Sequence, residues 1–138
     1  MSDAAGADAR LHLACRVAEK AYLAKQTVVV LLDDPETLRR FDETLWTFGD
    51  GAFVPHDAVR SDGTCDSPVA LTTGPLPAAH ADVLVNLGSV VPAFFEKFAR
   101  VAEFLDARPE VRAAGRERFK AYRAKAIEPQ THNVSSQD

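Results

Sequence analysis

Val28-Val29-Val30-Leu31-Leu32-Asp33-Asp34-Pro35-Glu36 changes character at its middle, and that change decides the fold. Val28 to Leu32 is an uninterrupted apolar run rich in β-branched residues, the composition of a strand covered on both faces, as parallel sheets require. Asp33 to Glu36 then supplies an N-cap carboxylate, a proline at the first helical position and an acid in the first turn. Leu38, Phe41 and Leu45 follow at helical spacing. A doubly covered strand thus runs directly into an amphipathic helix, the repeating unit of α/β domains.

Working outward, Leu11, Ala14, Cys15, Ala18 and Tyr22 recur at spacings of three and four between Asp8 and about Lys25, one face of a helix. Cys15 falls inside that face, where a free thiol packs as a small hydrophobe. Downstream, Gly49-Asp50-Gly51 stops the second helix, and irregular chain follows through Phe53-Val54-Pro55-His56 and the polar loop 60–67. Val69 to Thr72 and Val83 to Leu87 read as further strands, the latter turning at Gly88-Ser89. Near Pro92 the spacing of Phe94, Phe95, Phe98, Val101, Ala102 and Leu105 predicts a strongly amphipathic helix lying on the sheet. Pro109 opens a last helix, to about Lys125.

The pattern predicts one α/β domain at 8–126 with a short, mostly parallel sheet flanked by helices. Residues 1–7 are expected to be disordered and 127–138 to form a polar, loosely held tail. A length of 138 residues with 46% hydrophobic and 26% charged residues suits one core and leaves no room for a second full domain. The formal charge of −4 argues against coating DNA or an anionic membrane by bulk electrostatics. No apolar stretch approaches the roughly 20 residues that span a bilayer, and MSDAAGADAR lacks the basic start and apolar run of a secretion signal, so a cytoplasmic protein is expected. Cys15 and Cys65 form neither a disulfide framework nor a CxxC site.

Charge is unevenly placed. Arg108 to Lys125 holds seven Lys or Arg against two Glu, a local +5 that leaves −9 on the rest of the chain. At about 100° per residue, Arg112, Arg116, Phe119, Lys120 and Arg123 share one sector, so a ring is set within a cationic stripe. Arginine forks hold a carboxylate by two parallel hydrogen bonds, and Phe119 offers a ring face to an apolar group. The plainer reading is a solvated helix face with pairs such as Glu117 and Lys120. A second candidate is the crowding of Trp46, Phe48, Phe53, Val54 and Pro55 into an irregular segment: exposed, it is a partner surface; folded inward, it seals a sheet edge.

Enzyme readings are poorer. Asp33 and Asp34 follow a strand, where open α/β sheets bind ligands and paired carboxylates can hold Mg²⁺, but helix capping explains them more simply. Asn86-Leu87-Gly88-Ser89 could offer amides to a phosphate, yet no GxGxxG or GxxxxGK[ST] pattern is present. His12, His56, His80 and His132 show no metal-ligand spacing, and no GxSxG elbow occurs. No catalytic residue, metal or cofactor is assigned.

Taken in order, Ala14-Cys15-Arg16-Val17-Ala18-Glu19-Lys20-Ala21, Leu45-Trp46, Phe53-Val54-Pro55-His56, Pro68-Val69, Asp82-Val83-Leu84-Val85-Asn86-Leu87 and Gly115-Arg116-Glu117-Arg118-Phe119-Lys120-Ala121-Tyr122-Arg123 resemble the chi subunit of bacterial DNA polymerase III, over about residues 10 to 126. The resemblance implies a non-enzymatic, Rossmann-like subunit of the clamp-loader assembly, part of a nucleotidyltransferase holoenzyme at the replication fork and touching DNA only indirectly. It implies two partners: the psi subunit, or a helicase on the same surface, and the acidic C-terminal peptide of single-stranded DNA-binding protein. By matching position, Arg112, Arg116, Phe119, Lys120 and Arg123, with Leu105 as an apolar wall, would take that peptide, Arg116 gripping its terminal carboxylate. Trp46, Phe48, Phe53, Val54 and Pro55 would face psi. Family members open with an FYxx-type strand, whereas MSDAAGADAR has no strand pattern. The sheet is therefore expected to lack that strand, or the start to lie downstream of the true one.

Overall fold

The computed structural model describes residues 3–47, 54–60, 62–74, 80, 82–88, 91–92, 95–105, 108–125 and 129–133. Helix α1 (Asp3–Leu23) leads to β1 (Val28–Leu31), then α2 (Pro35–Thr47), β2 (His56–Ala58), β3 (Val69–Thr72) and β4 (Val83–Asn86). A single 3₁₀ turn at Phe95–Lys97 precedes β5 (Arg100–Leu105), α3 (Pro109–Ala124) and β6 (Gln130–Asn133). The strands pair contiguously in the order β2-β3-β1-β4-β5-β6, and all the pairings are parallel. β1 is central, with Val28 opposite both Val69 of β3 and Val83 of β4.

The unbroken apolar run of β1 now has its explanation, because successive side chains point to opposite faces and both faces are covered. Val28, Val30 and Leu32 join Val69, Leu71, Val83, Val85 and Phe104 in a layer closed by Leu11, Ala14, Cys15 and Ala18 of α1 and by Phe41 and Leu45 of α2. Val29 and Leu31 face the other way, with Ala70, Leu84, Phe95, Phe98, Val101 and Tyr122 of α3. Asp34 caps α2 as its sequence position requires: its Oδ1 accepts from the Thr37 backbone N–H at 2.8 Å and from Thr37 Oγ1 at 2.9 Å. Those bonds hold the Asp34 carboxyl below its ordinary range.

The structure corrects the sequence reading at several points. The stripe from Phe95 to Leu105 is not one long helix; it divides into the 3₁₀ turn and β5, while Phe94 lies outside the described residues. Glu103 caused the misreading, since a charge in mid-strand breaks the apolar run and leaves a set that helical spacing also fits. In β5 the faces alternate, Val101 joining the α3 layer and Ala102 and Phe104 the α1 layer. Second, His56–Ala58 is an edge strand, although this segment was read as irregular. Third, the tail contributes β6, whose Gln130 and Thr131 lie opposite Ala102 and Glu103. Its polarity fits a sheet edge, and His132 anchors it by stacking on Phe104 at 5.0 Å. α1 begins at Asp3, five residues ahead of the Asp8 start read from the pattern.

Candidate protein-interaction faces

α3 opens at Pro109, with Glu110 in the first turn and no side-chain cap from Arg108. Its buried residues are Gly115, Arg118 and Tyr122, at i, i+3 and i+7, and these set which side meets the sheet. Leu105 of β5 lies beneath Gly115 and is only 7% exposed. It therefore supports the helix from below, beside the outer face and not on it.

Arg112, Arg116, Lys120 and Arg123 are exposed, and Phe119 is half-buried at the border, packed against the layer of Leu84 and Val101. The cationic stripe with a ring at its margin is thus brought together. Arg112 and Arg116 form no ion pair among the described residues, whereas Lys120 Nζ donates to Glu117 Oε2 at 3.1 Å. Arg118, two residues beyond Arg116, is not on this face. About 200° of helical rotation carries it inside, where its Nε donates to Glu103 Oε1 at 2.8 Å. The outer surface of the segment Arg108 to Lys125 therefore presents six cations against two carboxylates.

The Glu103 carboxylate, fully buried, gathers further donors. Tyr122 Oη donates to its Oε2 at 2.6 Å, and Asn86 Nδ2 donates to the same oxygen at 3.0 Å. Burial, then the adjacent Glu103 charge, pushes the Tyr122 phenol up, so its proton stays in that bond. Asn86 Oδ1 accepts from the Gly88 amide at 3.0 Å. That occupies the amide weighed above for a phosphate, and a Cβ at Gly88 would lie 3.2 Å from Asp33 Oδ1, so the turn faces a carboxylate. Among the described residues no group of three or more His, Cys, Asp or Glu is placed to hold a metal ion.

On the other side of the fold, Trp46 at the end of α2 is 59% exposed. Its ring meets His56 edge-on at 5.3 Å. His56 is buried, with Nδ1 2.7 Å from the Val54 carbonyl and Nε2 2.9 Å from Asp42 Oδ1. Val54 corrects the sequence reading: it is fully buried in the α1 layer and contributes no exposed surface. Pro55 is half-buried, and Phe48 and Phe53 lie outside the described residues.

The sequence reading missed Glu103, Arg118, Tyr122 and Asp42 as parts of these sites, and it places His56 in the irregular segment and Asn86 in a phosphate turn without the side-chain bonds they make. A signal was present for one of them. Arg118 falls on the inward side with Val111, Gly115 and Tyr122, and a guanidinium in an apolar sector calls for a buried carboxylate.

A family model described as DNA polymerase III chi subunit, HolC, matches residues 4–130. The chain belongs to this family. It is 38% identical over 126 residues to DNA polymerase III subunit chi of Pseudomonas aeruginosa, covering 91% of this chain and 87% of that one. Identity to the chi subunit of Escherichia coli is 27% over 119 residues, covering 86% and 81% of the two chains. For the Haemophilus influenzae chi subunit it is 24% over 124 residues, covering 89% and 86%. As a chi-family member the chain is an accessory subunit of DNA polymerase III, acting in DNA replication. No described helix of this chi-family chain is long and apolar enough to cross a membrane.

Proposed function

We propose that this chi-family chain ties the polymerase III clamp loader to protein-coated single-stranded DNA, by binding the acidic C-terminal peptide of the coating protein on the outer face of α3. The observation that carries this reading is the pair Arg112 and Arg116, exposed one turn apart beside the half-buried ring of Phe119. Two guanidinium forks suit an acidic segment and a terminal carboxylate, and the ring margin suits an apolar terminal side chain. Leu105 backs this margin from beneath Gly115. Each tether is modest, and many tails on one coated strand raise the effective concentration.

The second half of the proposal is that Trp46 and Pro55, with Phe48 and Phe53, meet the psi subunit or a helicase. An exposed tryptophan is the kind of side chain that anchors a partner. Trp46 is also the only tryptophan in the chain, so its fluorescence reports the contact directly. Partner binding should shift its emission to the blue, and an unmoved spectrum in a complex proven by size exclusion would remove Trp46 from the interface.

Fluorescence anisotropy with a labelled acidic peptide ending in Phe tests the first half. Binding should weaken with added salt and be lost in Arg116→Ala. Tighter binding to bare single-stranded DNA than to the peptide would overturn the proposal in favour of direct nucleic-acid binding.

A further inference from the structure

Of the residues buried under α3, two are polar, Arg118 and Tyr122, and the third is Gly115, which has no side chain to interlock with the sheet. Apolar contact is non-directional, whereas hydrogen bonds fix angles. Beside the Tyr122 ring, edge-on to Phe95 at 5.1 Å, and the half-buried Phe119, the directional contacts that define how far α3 is rolled about its own axis are the hydrogen bonds beneath it. Resting on the peptide-binding reading above, we propose that Glu103, Arg118, Tyr122 and Asn86 are positioning residues, whose buried network fixes the roll of α3 and so aims Arg112 and Arg116 at the peptide.

The geometry supplies a two-point attachment. Arg118 and Tyr122, one turn apart on α3, reach the two oxygens of a single carboxylate, Oε1 at 2.8 Å and Oε2 at 2.6 Å. One bond would act as a pivot; two from successive turns resist both roll and sliding. The carboxylate is itself held. Glu103 lies directly opposite Asn86 in the parallel register of β5 and β4, and Asn86 Nδ2 donates to it at 3.0 Å and to Tyr122 Oη at 3.2 Å. The Gly88 amide pins the other end of Asn86. A chain of hydrogen bonds therefore runs from the turn after β4 to α3, and Arg116, about 200° round the helix from Arg118, is directed outward by it. Packed apolar residues of similar volume often replace a buried ion pair without loss of stability, so the network's distinctive contribution is orientation.

The test is the Glu103→Leu/Arg118→Met double variant of the full chain, measured by anisotropy against an acidic peptide ending in a free carboxylate and against its C-terminal amide, with thermal unfolding alongside. The expected result is a folded chain with a lowered melting temperature, because Tyr122 Oη and Asn86 Nδ2 lose their acceptor, about a tenfold loss of affinity for the free acid, and an acid-to-amide ratio that falls towards one. A purely structural role, or a network irrelevant to binding, would leave that ratio unchanged whatever the melting temperature, and an unchanged ratio overturns the inference. If the double variant does not fold, Tyr122→Phe removes a single hydroxyl and should cost about threefold in affinity with the same narrowing of the ratio, and an unchanged ratio overturns the inference. If the wild-type chain binds no such peptide, the proposed function fails separately. Positioning is then decided by nuclear Overhauser contacts from the Phe119 ring to methyl groups of the layer below. A single set in wild type that persists in the double variant overturns the inference, and its loss supports it.

Discussion

Gly115 approaches Leu105 so closely that a Cβ on Gly115 would lie 2.6 Å from Leu105 Cδ2. This contact sets the distance between α3 and β5 and explains a glycine in the middle of a helix that lies in ordinary helical geometry. Alanine there would gain about 1 kcal/mol of helix propensity and lose about 1–3 kcal/mol to overpacking, because Leu105 is itself enclosed. Gly115→Ala should therefore destabilise by about 1 kcal/mol in urea unfolding. Combined with Leu105→Ala it should cost less than the two single changes together; strict additivity would show that the contact does not set the spacing.

Arg116 and Arg118 stand two residues apart and should behave oppositely. Arg116→Ala should leave stability within about 0.5 kcal/mol of wild type and remove peptide binding. Arg118→Ala strands the Glu103 carboxylate in the core and should cost about 3–5 kcal/mol. Equal melting temperatures for the two variants would contradict the buried pair.

Asp82 joins the starts of β1 and β4, its Oδ2 accepting from the Thr27 N–H at 2.8 Å and Thr27 Oγ1 at 3.1 Å. These bonds, with a smaller contribution from the nearby Arg100 charge, hold its carboxyl below the ordinary 3.8. A depressed folded-state value stabilises the fold fully above the unfolded-state value and is lost as pH falls through the folded one. The stability gap between wild type and Asp82→Ala should thus be constant near neutrality and close in acid, below about pH 4. A gap that widens on acidification would contradict this linkage.

The two thiols should differ in reactivity. Cys15 is wholly enclosed on the inner face of α1, and burial pushes its thiol up to about 12. Cys65 is part-exposed, and burial raises its thiol as well, while its Sγ lies 3.6 Å from the Asp57 carbonyl. An aromatic disulfide reagent at neutral pH should modify Cys65 slowly in the native chain and Cys15 only upon unfolding. Prompt reaction of both in the native state would show that the α1 layer is open.

The central βα unit was legible because local rules and tertiary demands agree there. Val28 to Leu32 is apolar on both faces, and Asp34 caps the next helix with bonds to its own neighbour Thr37. The cationic stripe of α3 was legible for a similar reason, since helical periodicity alone places Arg112, Arg116, Lys120 and Arg123 together. β5 and β6 were not. Glu103 reads as a strand-breaking charge until Arg118, distant in sequence, arrives to pair with it and Tyr122 to donate to it. Gln130 to Asn133 is too polar to announce a strand, and becomes one by pairing with the edge of β5.

The amino-acid order by itself settled the α/β class, the parallel character of the sheet, the family, and the basic segment that marks α3, because each depends on short-range spacing or on resemblance along the chain. Tertiary structure alone decided that the buried partner of Arg118 is Glu103, that Val54 is core while Trp46 is exposed, and that residues 130–133 extend the sheet. Those outcomes depend on desolvation and on hydrogen-bond partners many residues away, and no local pattern encodes which distant group will be there to pair.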